Sequence, residues 1–424
     1  MSTPPDTIDE AWLKSHPSFC MMPFVHMHVS QHGTVTPCCQ APWQKELAFG
    51  DANESSLDEI WNGEAMNAFR AKMIKGQRDV RCERCYEKEA SGWKTLRSIT
   101  NENFKEHLDR VRSASADGRL NETNQDYRPV YYDLRFSNVC NYRCRICGPW
   151  SSSKWHKDAK GLGMTDNDSS LTQAVPDSSS LLSQFEANIE NVEEVYFAGG
   201  EPMIMDEHYQ MLEILVKHKK HQTRLMYNTN FSVLAHKQWD VLEFWKHFDH
   251  INLAASLDAM GPRAEILRKE QSWSGILQNL QILKDRAPHV RFMISPTVYV
   301  LNILHLTDFH KKMVLDRYIT AEDFVPSLLI QPEYYNIRCL PSSIKKQIER
   351  NIHEHLNWLM DQSCENDEKM VYVKQTYTNL LEHMNHEDRT HLLPELKKRT
   401  TSLDKIRNEQ LSEIMDELEF INNY

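Results

Sequence analysis

The stretch VYYDLRFSNVCNYRCRIC, residues 130–147, joins a short alternating run to three closely spaced cysteines. The run VYYDLRF alternates as a β-strand does, and Cys140, Cys144 and Cys147 follow it in a CxxxCxxC spacing. Thiolates at this spacing reach one metal or cluster without straining the chain. Three thiolates leave one iron of a four-iron cluster open to a ligand, whereas a zinc knuckle would need a fourth ligand from elsewhere. The spacing alone leaves both interpretations open.

Five further β-rich runs follow residue 147 and alternate with helical stretches. They read EEVYFAG, TRLMYN, INLAAS, VRFMISPTV and PSLLIQP. Six strands separated by helices indicate right-handed βαβ units in a parallel sheet or partial barrel. The cysteines then lie in the first strand-to-helix loop, at the carboxyl edge where barrel sites are built.

Polar and small residues also follow the second, third and fourth of these strands. They are Gly199, Gly200, Glu201 and Pro202 after the second, Asn228 and Asn230 around the end of the third, and Ser256 and Asp258 after the fourth. Small residues let the backbone approach a ligand, and a carboxylate beside them accepts hydrogen bonds from an ammonium group. We expect all of these residues on one rim.

The composition places the chain outside several classes of protein. Its 424 residues predict two or three domains, and the net charge of −11 argues against bulk electrostatic binding of nucleic acid. No apolar run is long enough to span a membrane, and MSTPPDTIDE lacks the features of a secretory signal. We therefore expect a cytoplasmic protein with no membrane or nucleic-acid partner. Ten cysteines in a reducing compartment favour metal or cluster ligation over disulfides.

Four regions are predicted along the chain. Residues 1–95 form a small cysteine-bearing module, 96–127 a helix and linker, 128–335 the barrel, and 336–424 a helical C-terminal region. In the module, FVHMHV and QHGTV read as two strands around a turn at Gly33, and SLDEIWNGEAMNAFRAKM reads as one helix with a capping box. The polar stretch 151–180 is expected to be a surface loop or lid.

The CxxxCxxC motif after a first strand, followed by GGEP after a second, resembles the radical S-adenosylmethionine (radical SAM) superfamily. The resemblance extends from residue 130 to about 335. It implies a partial (β/α)6 TIM-like barrel and a 4Fe-4S cluster on Cys140, Cys144 and Cys147 whose open iron binds S-adenosylmethionine (AdoMet). Electron transfer into AdoMet then produces a 5′-deoxyadenosyl radical that abstracts a substrate hydrogen.

The same resemblance implies roles for the rim residues. Gly199, Gly200 and Glu201, with Pro202 beside them, would meet the methionine amino group, and Ser256 and Asp258 the ribose or carboxylate. Arg268 resembles an arginine that pairs with the methionine carboxylate, and Asn302 a polar residue near adenosine. Asn228 and Asn230 complete the set of AdoMet-binding residues. Ile146 stands where an aromatic residue is usual, and its backbone still reaches adenine.

The N-terminal cysteines resemble a second module of this superfamily. Cys20-x2-Pro-Phe, the Cys38-Cys39 pair, FGD, LDEIW and Cys82-x2-Cys85 look like an SPASM/twitch auxiliary-cluster module, here placed before the barrel. The cysteine count implies one auxiliary 4Fe-4S cluster held by Cys20, Cys38, Cys82 and Cys85, with Cys38 expected over Cys39. A zinc-only module is the alternative.

Several other residues are candidates for function. Alternation places Asp133 and Arg135 inside the barrel, where they should pair with each other, with AdoMet or with substrate. Cys339, after the sixth strand, is a speculative hydrogen donor to a substrate radical, against the alternative of a buried hydrophobe. Cys364 is a weaker candidate, and His26 and His28 share one strand face near the auxiliary cluster.

The leading hypothesis is a radical SAM enzyme that modifies a peptide or protein, for example by epimerisation or cross-linking of a ribosomally made peptide. Its partners would be that substrate and an external electron donor of the flavodoxin or ferredoxin type. One alternative is the same chemistry on a small molecule such as a nucleoside or sugar precursor. The other is a non-catalytic cluster-binding or zinc-binding scaffold.

Overall fold

A computed structural model describes residues 8–42, 44–90, 92–120, 126–361 and 368–424, so that Cys364 lies outside the described residues. The strands are β1 His26–Val29, β2 Thr34–Thr36, β3 Gly50–Asp51, β4 Tyr131–Leu134, β5 Arg143–Cys144, β6 Glu194–Phe197, β7 Arg224–Thr229, β8 Ala235–His236, β9 Trp239–Asp240, β10 Ile251–Ala255, β11 Arg268–Lys269, β12 Arg291–Ile294, β13 Thr297–Val298 and β14 Ser327–Leu328.

Eight strands form one sheet in the order β12-β10-β7-β6-β4-β1-β2-β3. Strands β4, β6, β7, β10 and β12 pair in parallel with their neighbours in this row. Beyond β12, a parallel bridge joins Ile294 to Phe324, and β13 pairs in parallel with β14. All six predicted barrel strands are therefore present, and the predicted partial barrel is confirmed.

The N-terminal strands extend this sheet instead of forming a separate layer. Strand β1 pairs in parallel with β4, which sets His28 opposite Asp133, and β2 runs antiparallel to β1 across a turn where Gly33 has φ +81°. The predicted pair of strands is confirmed. One continuous hydrophobic core includes Phe24 of this region and Leu253 of the barrel, so the N-terminal region does not have a small core of its own. The boundaries at residues 95 and 128 stay predictions.

The α-helices of the described residues lie before, between and after the strands. They are Glu10–Ser15, Met22–Val25, Leu57–Trp61, Glu64–Ile74, Glu83–Ala90, Leu96–Asn103, Leu108–Arg112, His156–Gly161, Ser179–Ala187, Asp206–Lys217, Val241–Trp245, Gly261–Leu267, Trp273–Arg286, Leu306–Leu315, Ser342–Asp361, Glu368–His386, Leu393–Arg407 and Leu411–Ile414. Among these helices none has the length and apolar character that a membrane crossing requires.

The helix predicted from Ser56 onward is two helices. The capping box of Ser56 and Glu59 is present and starts Leu57–Trp61, but this helix ends before Gly63, which begins Glu64–Ile74 in extended conformation. The apolar periodicity continues across the break, because both helices bury their apolar side chains in the same core. Periodicity alone therefore missed the interruption.

The predicted surface loop 151–180 is partly a buried element. Its helix His156–Gly161 follows the fully buried Trp155, and both pack against Leu403 of the C-terminal helix Leu393–Arg407. The expectation of a lid is wrong for this part of the stretch. Its polar composition concealed the few apolar side chains that anchor it.

Candidate functional site

The CxxxCxxC loop is fixed from two sides. Strand β5 within the loop pairs antiparallel with β11, which places Cys144 opposite Arg268. The indole Nε1 of Trp155 donates a hydrogen bond of 2.8 Å to the Cys144 carbonyl. Arg145 is fully buried and pairs with Asp404 and Glu409 of the C-terminal region. The C-terminal helices thus hold the cysteine loop in place.

The three thiols of this loop influence one another. A hydrogen bond from the Cys147 thiol, aided by the charge of Arg268, lowers the pKa of Cys144 to about 7. An Arg268 Nη1 lies 3.7 Å from the Cys144 sulfur. Burial, with Cys144 nearby, raises the pKa of Cys140 to about 12. The Arg268 guanidinium therefore lies beside a sulfur of the set that is expected to hold a negatively charged cluster.

The GGEP segment packs directly against the same loop. A Cβ on Gly200 would lie 2.0 Å from the Val139 carbonyl oxygen, so only glycine fits at this position. Gly199 has φ +123°, in the region that favours glycine, and the Glu201 N–H donates to Val139 O over 2.7 Å. The two glycines therefore bring the end of β6 into contact with the residue before Cys140.

The Glu201 side chain points into the protein. Its carboxylate accepts hydrogen bonds from the Thr229 hydroxyl at 2.6 Å, the Asn230 N–H at 2.6 Å and the Met203 N–H at 3.1 Å. Complete burial raises the pKa of Glu201 to about 7, which those hydrogen bonds oppose. This geometry makes Glu201 a tie between the ends of β6 and β7. A direct contact with AdoMet stays a prediction.

Asp258, Arg268 and Asn302 form one buried network. Arg268 donates Nε and Nη2 to the two Asp258 oxygens at 2.9 and 3.0 Å, and the Thr297 N–H donates to the same carboxylate. The Asn302 amide donates to the carbonyls of Asp258 and Thr297 and accepts from the Tyr299 N–H. The network connects the ends of β10 and β13 to Cys144.

The other predicted rim residues differ in whether their side chains already make hydrogen bonds within the protein. Asn230 donates to Asn141 at 2.7 Å and lies 4.0 Å from the Cys140 sulfur. Asn228 is exposed and Ser256 half-buried, and the hydrogen bonds of the described residues do not use either side chain. Pro202 begins a short 3-10 turn after Glu201. Asn228 and Ser256 are thus the rim groups that remain available to a ligand.

Asp133 and Arg135 pair with each other, which is one of the three alternatives predicted for them, and contact with AdoMet or substrate stays a prediction. Arg135 donates Nε and Nη2 to the Asp133 carboxylate at 3.0 and 3.1 Å, and His28 Nδ1 lies 2.9 Å from it. Burial opposes the Asp133 charge, but Arg135 and His28 together hold the pKa of Asp133 well below its usual range. His26 lies beside them, and burial lowers the pKa of His26 to about 3.

The sequence interpretation missed that His28 joins this pair, because it placed the histidines near the auxiliary cluster. The alternation in HMHV was the available signal, since it puts His26 and His28 on one face. The alternation did not predict that β1 would pair with β4.

The N-terminal cysteines divide into two groups. Cys20, Cys38, Cys82 and Cys85 line one pocket, together with Gln40, the three arginines Arg81, Arg84 and Arg97, and apolar side chains. Burial and neighbouring thiols raise the pKa of Cys82 to about 12 and hold the pKa values of Cys20 and Cys38 well above the ordinary value. Cys39 does not line this pocket. The geometry therefore favours Cys38 over Cys39 as the fourth member of the set.

Cys39 faces a second, larger cavity of about 680 Å³. The cavity is bounded by Cys39 and Gln40 on one side, and by Ile146, Cys147 and Trp150 on the other. The segment from Leu328 to Pro332, which begins at the end of the sixth barrel strand, also lines the cavity. Its volume lies within the range of small-ligand and substrate sites. It is also the place where the two cysteine regions meet.

Both sets of thiols fit an iron–sulfur cluster better than a zinc ion. In the described part of the chain, no three cysteine sulfurs lie within 4.8 Å of one another. Thiolates around one zinc ion at about 2.3 Å would be about 3.8 Å apart. A set of three thiols, with Cys147 on the large cavity, and a set of four around a closed pocket suit one cluster with an open iron and one fully ligated cluster.

Cys339 lies away from the large cavity. It is fully buried at the end of a 3-10 turn, and its thiol donates to the Glu333 carbonyl over 3.3 Å. It is not among the residues that line the cavity with Cys147. This placement argues against contact between Cys339 and a substrate bound there.

Two family models match the two regions of the chain that carry the cysteine sets. Residues 134–308 match the model of the radical SAM superfamily, and residues 20–86 match the SPASM model, described as an iron-sulfur cluster-binding domain. No curated protein sequence matches the chain.

Solved structures show distant similarity. Streptococcus suis SuiB bound to S-adenosylmethionine is 12% identical over 80% of this chain and 70% of its own, with a TM-score of 0.39. The protein anSMEcpe with bound AdoMet and the Cp18Cys peptide is 16% identical over 53% of this chain and 56% of its own, with a TM-score of 0.35. The chain thus spans little more than half the length of the anSMEcpe structures that it matches.

The chain carries a radical SAM domain over residues 134–308, the domain of AdoMet-dependent enzymes. It carries in addition an SPASM-type auxiliary module, which precedes the barrel. The barrel domain implies AdoMet and a 4Fe-4S cluster, and the SPASM module implies an auxiliary iron–sulfur cluster.

Proposed function

We propose that this protein abstracts a hydrogen atom from a peptide or protein substrate bound in the cavity between the two cysteine regions. The observation that carries the proposal is the cavity itself, which is lined both by Cys147 and by Cys39. A substrate there would lie beside Cys147 of the three-thiol set. When bound, the barrel cluster and AdoMet supply reductive cleavage of a carbon–sulfur bond and hydrogen-atom abstraction.

In this proposal the chain's own residues hold and orient the two groups. Cys140, Cys144 and Cys147 hold the barrel cluster, and Arg268 places its charge beside the sulfurs while Asp258 holds Arg268 in position. Among the rim residues, Asn228 and Ser256 offer free polar groups to AdoMet, and Ile146 lines the cavity. Cys20, Cys38, Cys82 and Cys85 hold the auxiliary cluster.

An open strand edge beside the cavity favours a peptide over a small molecule. The N–H groups of Ser327 and Leu329 donate to the carbonyls of Pro296 and Val298 on one side. Backbone groups alternate in direction along a strand, so those of Leu328 and Ile330 point to the other side. No third strand of the described residues pairs with β14. An extended peptide can add to such an edge by main-chain hydrogen bonds.

The test uses protein reconstituted anaerobically with iron and sulfide. It is incubated with AdoMet and a flavodoxin-type electron donor, together with pooled synthetic peptides or with nucleosides and sugars. We expect peptides to stimulate 5′-deoxyadenosine formation, and Ile330→Pro, which removes an edge N–H, to lose that stimulation. Ile330→Val keeps the N–H and is the matched control. Stimulation by nucleosides or sugars alone would contradict a peptide substrate, and zinc without sulfide would support a scaffold.

The proposal places the protein in the cytoplasm, where reduced thiols remain available for cluster assembly.

A further inference from the structure

The large cavity is lined by cations and by no carboxylate. Arg84, Lys88, Arg145 and Arg399 contribute to its wall, and its other lining residues are uncharged. This contrasts with the whole chain, whose 60 acidic and 49 basic residues give a net charge of −11. Positive charge has thus been concentrated at the place where the proposed substrate binds.

Not all four cations are available to a ligand. Arg145 is fully buried and is neutralised by Asp404 and by Glu409, whose carboxylate lies 2.6 Å from its Nη2. Its charge is used inside the protein, where it fixes the cysteine loop. The positive charge that a ligand in the cavity can meet must therefore come from Arg84, Lys88 and Arg399.

Lys88 and Arg84 form one wall of the cavity. They lie one turn apart on the helix Glu83–Ala90, and neither has a carboxylate within ion-pair distance in the described part of the chain. Burial and the nearby charge of Arg84 lower the pKa of Lys88. Like charges at this spacing destabilise a helix, so the arrangement costs the folded protein free energy that a bound anion would restore.

Arg399 reaches the cavity from the C-terminal helix Leu393–Arg407. Its guanidinium lies 4.9 Å from the centre of the Trp155 ring, and Nη1 contacts the Met164 sulfur at 3.3 Å. Its Nε is buried and finds no hydrogen-bond acceptor among the described residues. A buried N–H without an acceptor is rare in folded proteins and costs free energy. This orphaned donor is a second, independent indication of an anionic ligand.

We propose that the cavity selects a substrate by a carboxylate group, which the lining cations Lys88, Arg84 and Arg399 bind. Charge-assisted hydrogen bonds to a carboxylate are short and strong in a partly dry cavity. The identification of the carboxylate as that of an acidic side chain of a peptide rests on the proposed function. The binding of an anion does not.

A competing role exists for one of these residues. Arg84 also lines the pocket of Cys20, Cys38, Cys82 and Cys85, where its charge would compensate a negatively charged cluster. Lys88 does not line that pocket. The experiment therefore depends on Lys88, whose position separates substrate binding from charge compensation.

Fluorescence anisotropy would compare two labelled peptides with amidated C-termini, acetyl-hexaglutamate and acetyl-hexaglutamine, on the reconstituted holoprotein. We expect the glutamate peptide to bind about tenfold more tightly, and Lys88→Met to remove most of that preference. Lys345→Met is the matched control, because Lys345 is also half-buried with a pKa lowered by burial but lies outside the cavity. It should leave the preference unchanged.

Two results would overturn the proposal. One is equal affinity for the two peptides. The other is an unchanged preference for the glutamate peptide in Lys88→Met. A shift in the reduction potential of the auxiliary cluster in that variant would then assign the lysine to the cluster. Formation of 5′-deoxyadenosine is measured in parallel without peptide. A failure of that reaction would contradict the proposed function and leave the anion-binding result to be judged by itself.

Discussion

The two cysteine regions differ at one thiol, that of Cys144, although burial raises the pKa of Cys140 in the first region to about 12, as it does that of Cys82 in the second. In the barrel loop, Arg268 faces the sulfur of Cys144, and the pKa of Cys144 falls to about 7 under the Cys147 hydrogen bond and this charge. In the N-terminal pocket, burial and neighbouring thiols raise the pKa of Cys82 to about 12. The first set has three thiols, of which that of Cys147 lines a cavity, and the second has four around a closed pocket. The comparison separates a site built for an exchangeable ligand from one built to enclose a group.

The adjacent pair Cys38 and Cys39 gives the sharpest contrast, because the two residues face different cavities. We expect Cys38→Ser to lower the iron content from about eight to about four atoms per chain, since it removes a ligand of the auxiliary cluster. Cys39→Ser should retain about eight. Iron and sulfide analysis after anaerobic reconstitution measures both, and the reverse pattern would exchange the roles of the two cysteines.

Arg268→Met tests the buried ion pair of the barrel region. The variant leaves the Asp258 carboxylate buried without its cation, and we expect the free energy of unfolding to fall by about 3–5 kcal/mol. Denaturant unfolding of the unloaded protein measures it. The double variant Arg268→Met with Asp258→Asn should recover part of the loss, and a double variant no more stable than the single one would argue against the pair.

Gly200→Ala tests whether the second strand must touch the cysteine loop. An added Cβ would meet Val139 O at 2.0 Å, so the loop has to move, at a cost of about 1–3 kcal/mol. We expect lower occupancy of the barrel cluster and unchanged auxiliary iron, measured by iron analysis and unfolding. Gly275→Ala is the control, because its nearest neighbour would lie at an ordinary 3.4 Å. Equal loss of both clusters would contradict a local effect.

The smallest effect is expected at Cys339. Cys339→Ala removes a buried thiol outside the cavity, and we expect about 1 kcal/mol of lost stability with product formation unchanged. The measurement is product yield per AdoMet cleaved, with Cys39→Ala compared in parallel. A loss of product in Cys339→Ala alone would restore the hydrogen-donor hypothesis.

Much of the barrel was predictable because its information is local in the sequence. Alternation identified the six strands, and a parallel sheet brings their carboxyl ends to one rim, which placed Cys140, Glu201 and Asp258 near one another. The pairing of Asp133 with Arg135 followed from burial of charge on an inward face.

The rest depended on contacts between distant segments. Nothing in HMHV specifies that β1 joins β4, and this pairing is what adds His28 to Asp133. Likewise, the neutralisation of Arg145 by Asp404 and Glu409 joins residues more than 250 positions apart. The division between Cys38 and Cys39 depends on the local path of the backbone, which composition and spacing do not contain.

The central claim is that the two cysteine sets hold two clusters with different functions, of which only the barrel cluster cleaves AdoMet. The most direct measurement compares two reconstituted variants for iron content and for 5′-deoxyadenosine formed from AdoMet. One carries Cys140→Ala, Cys144→Ala and Cys147→Ala, and the other carries Cys20→Ala, Cys38→Ala, Cys82→Ala and Cys85→Ala. We predict about four irons per chain in each, with AdoMet cleavage abolished only in the first. AdoMet cleavage that survives in the first variant would contradict the account.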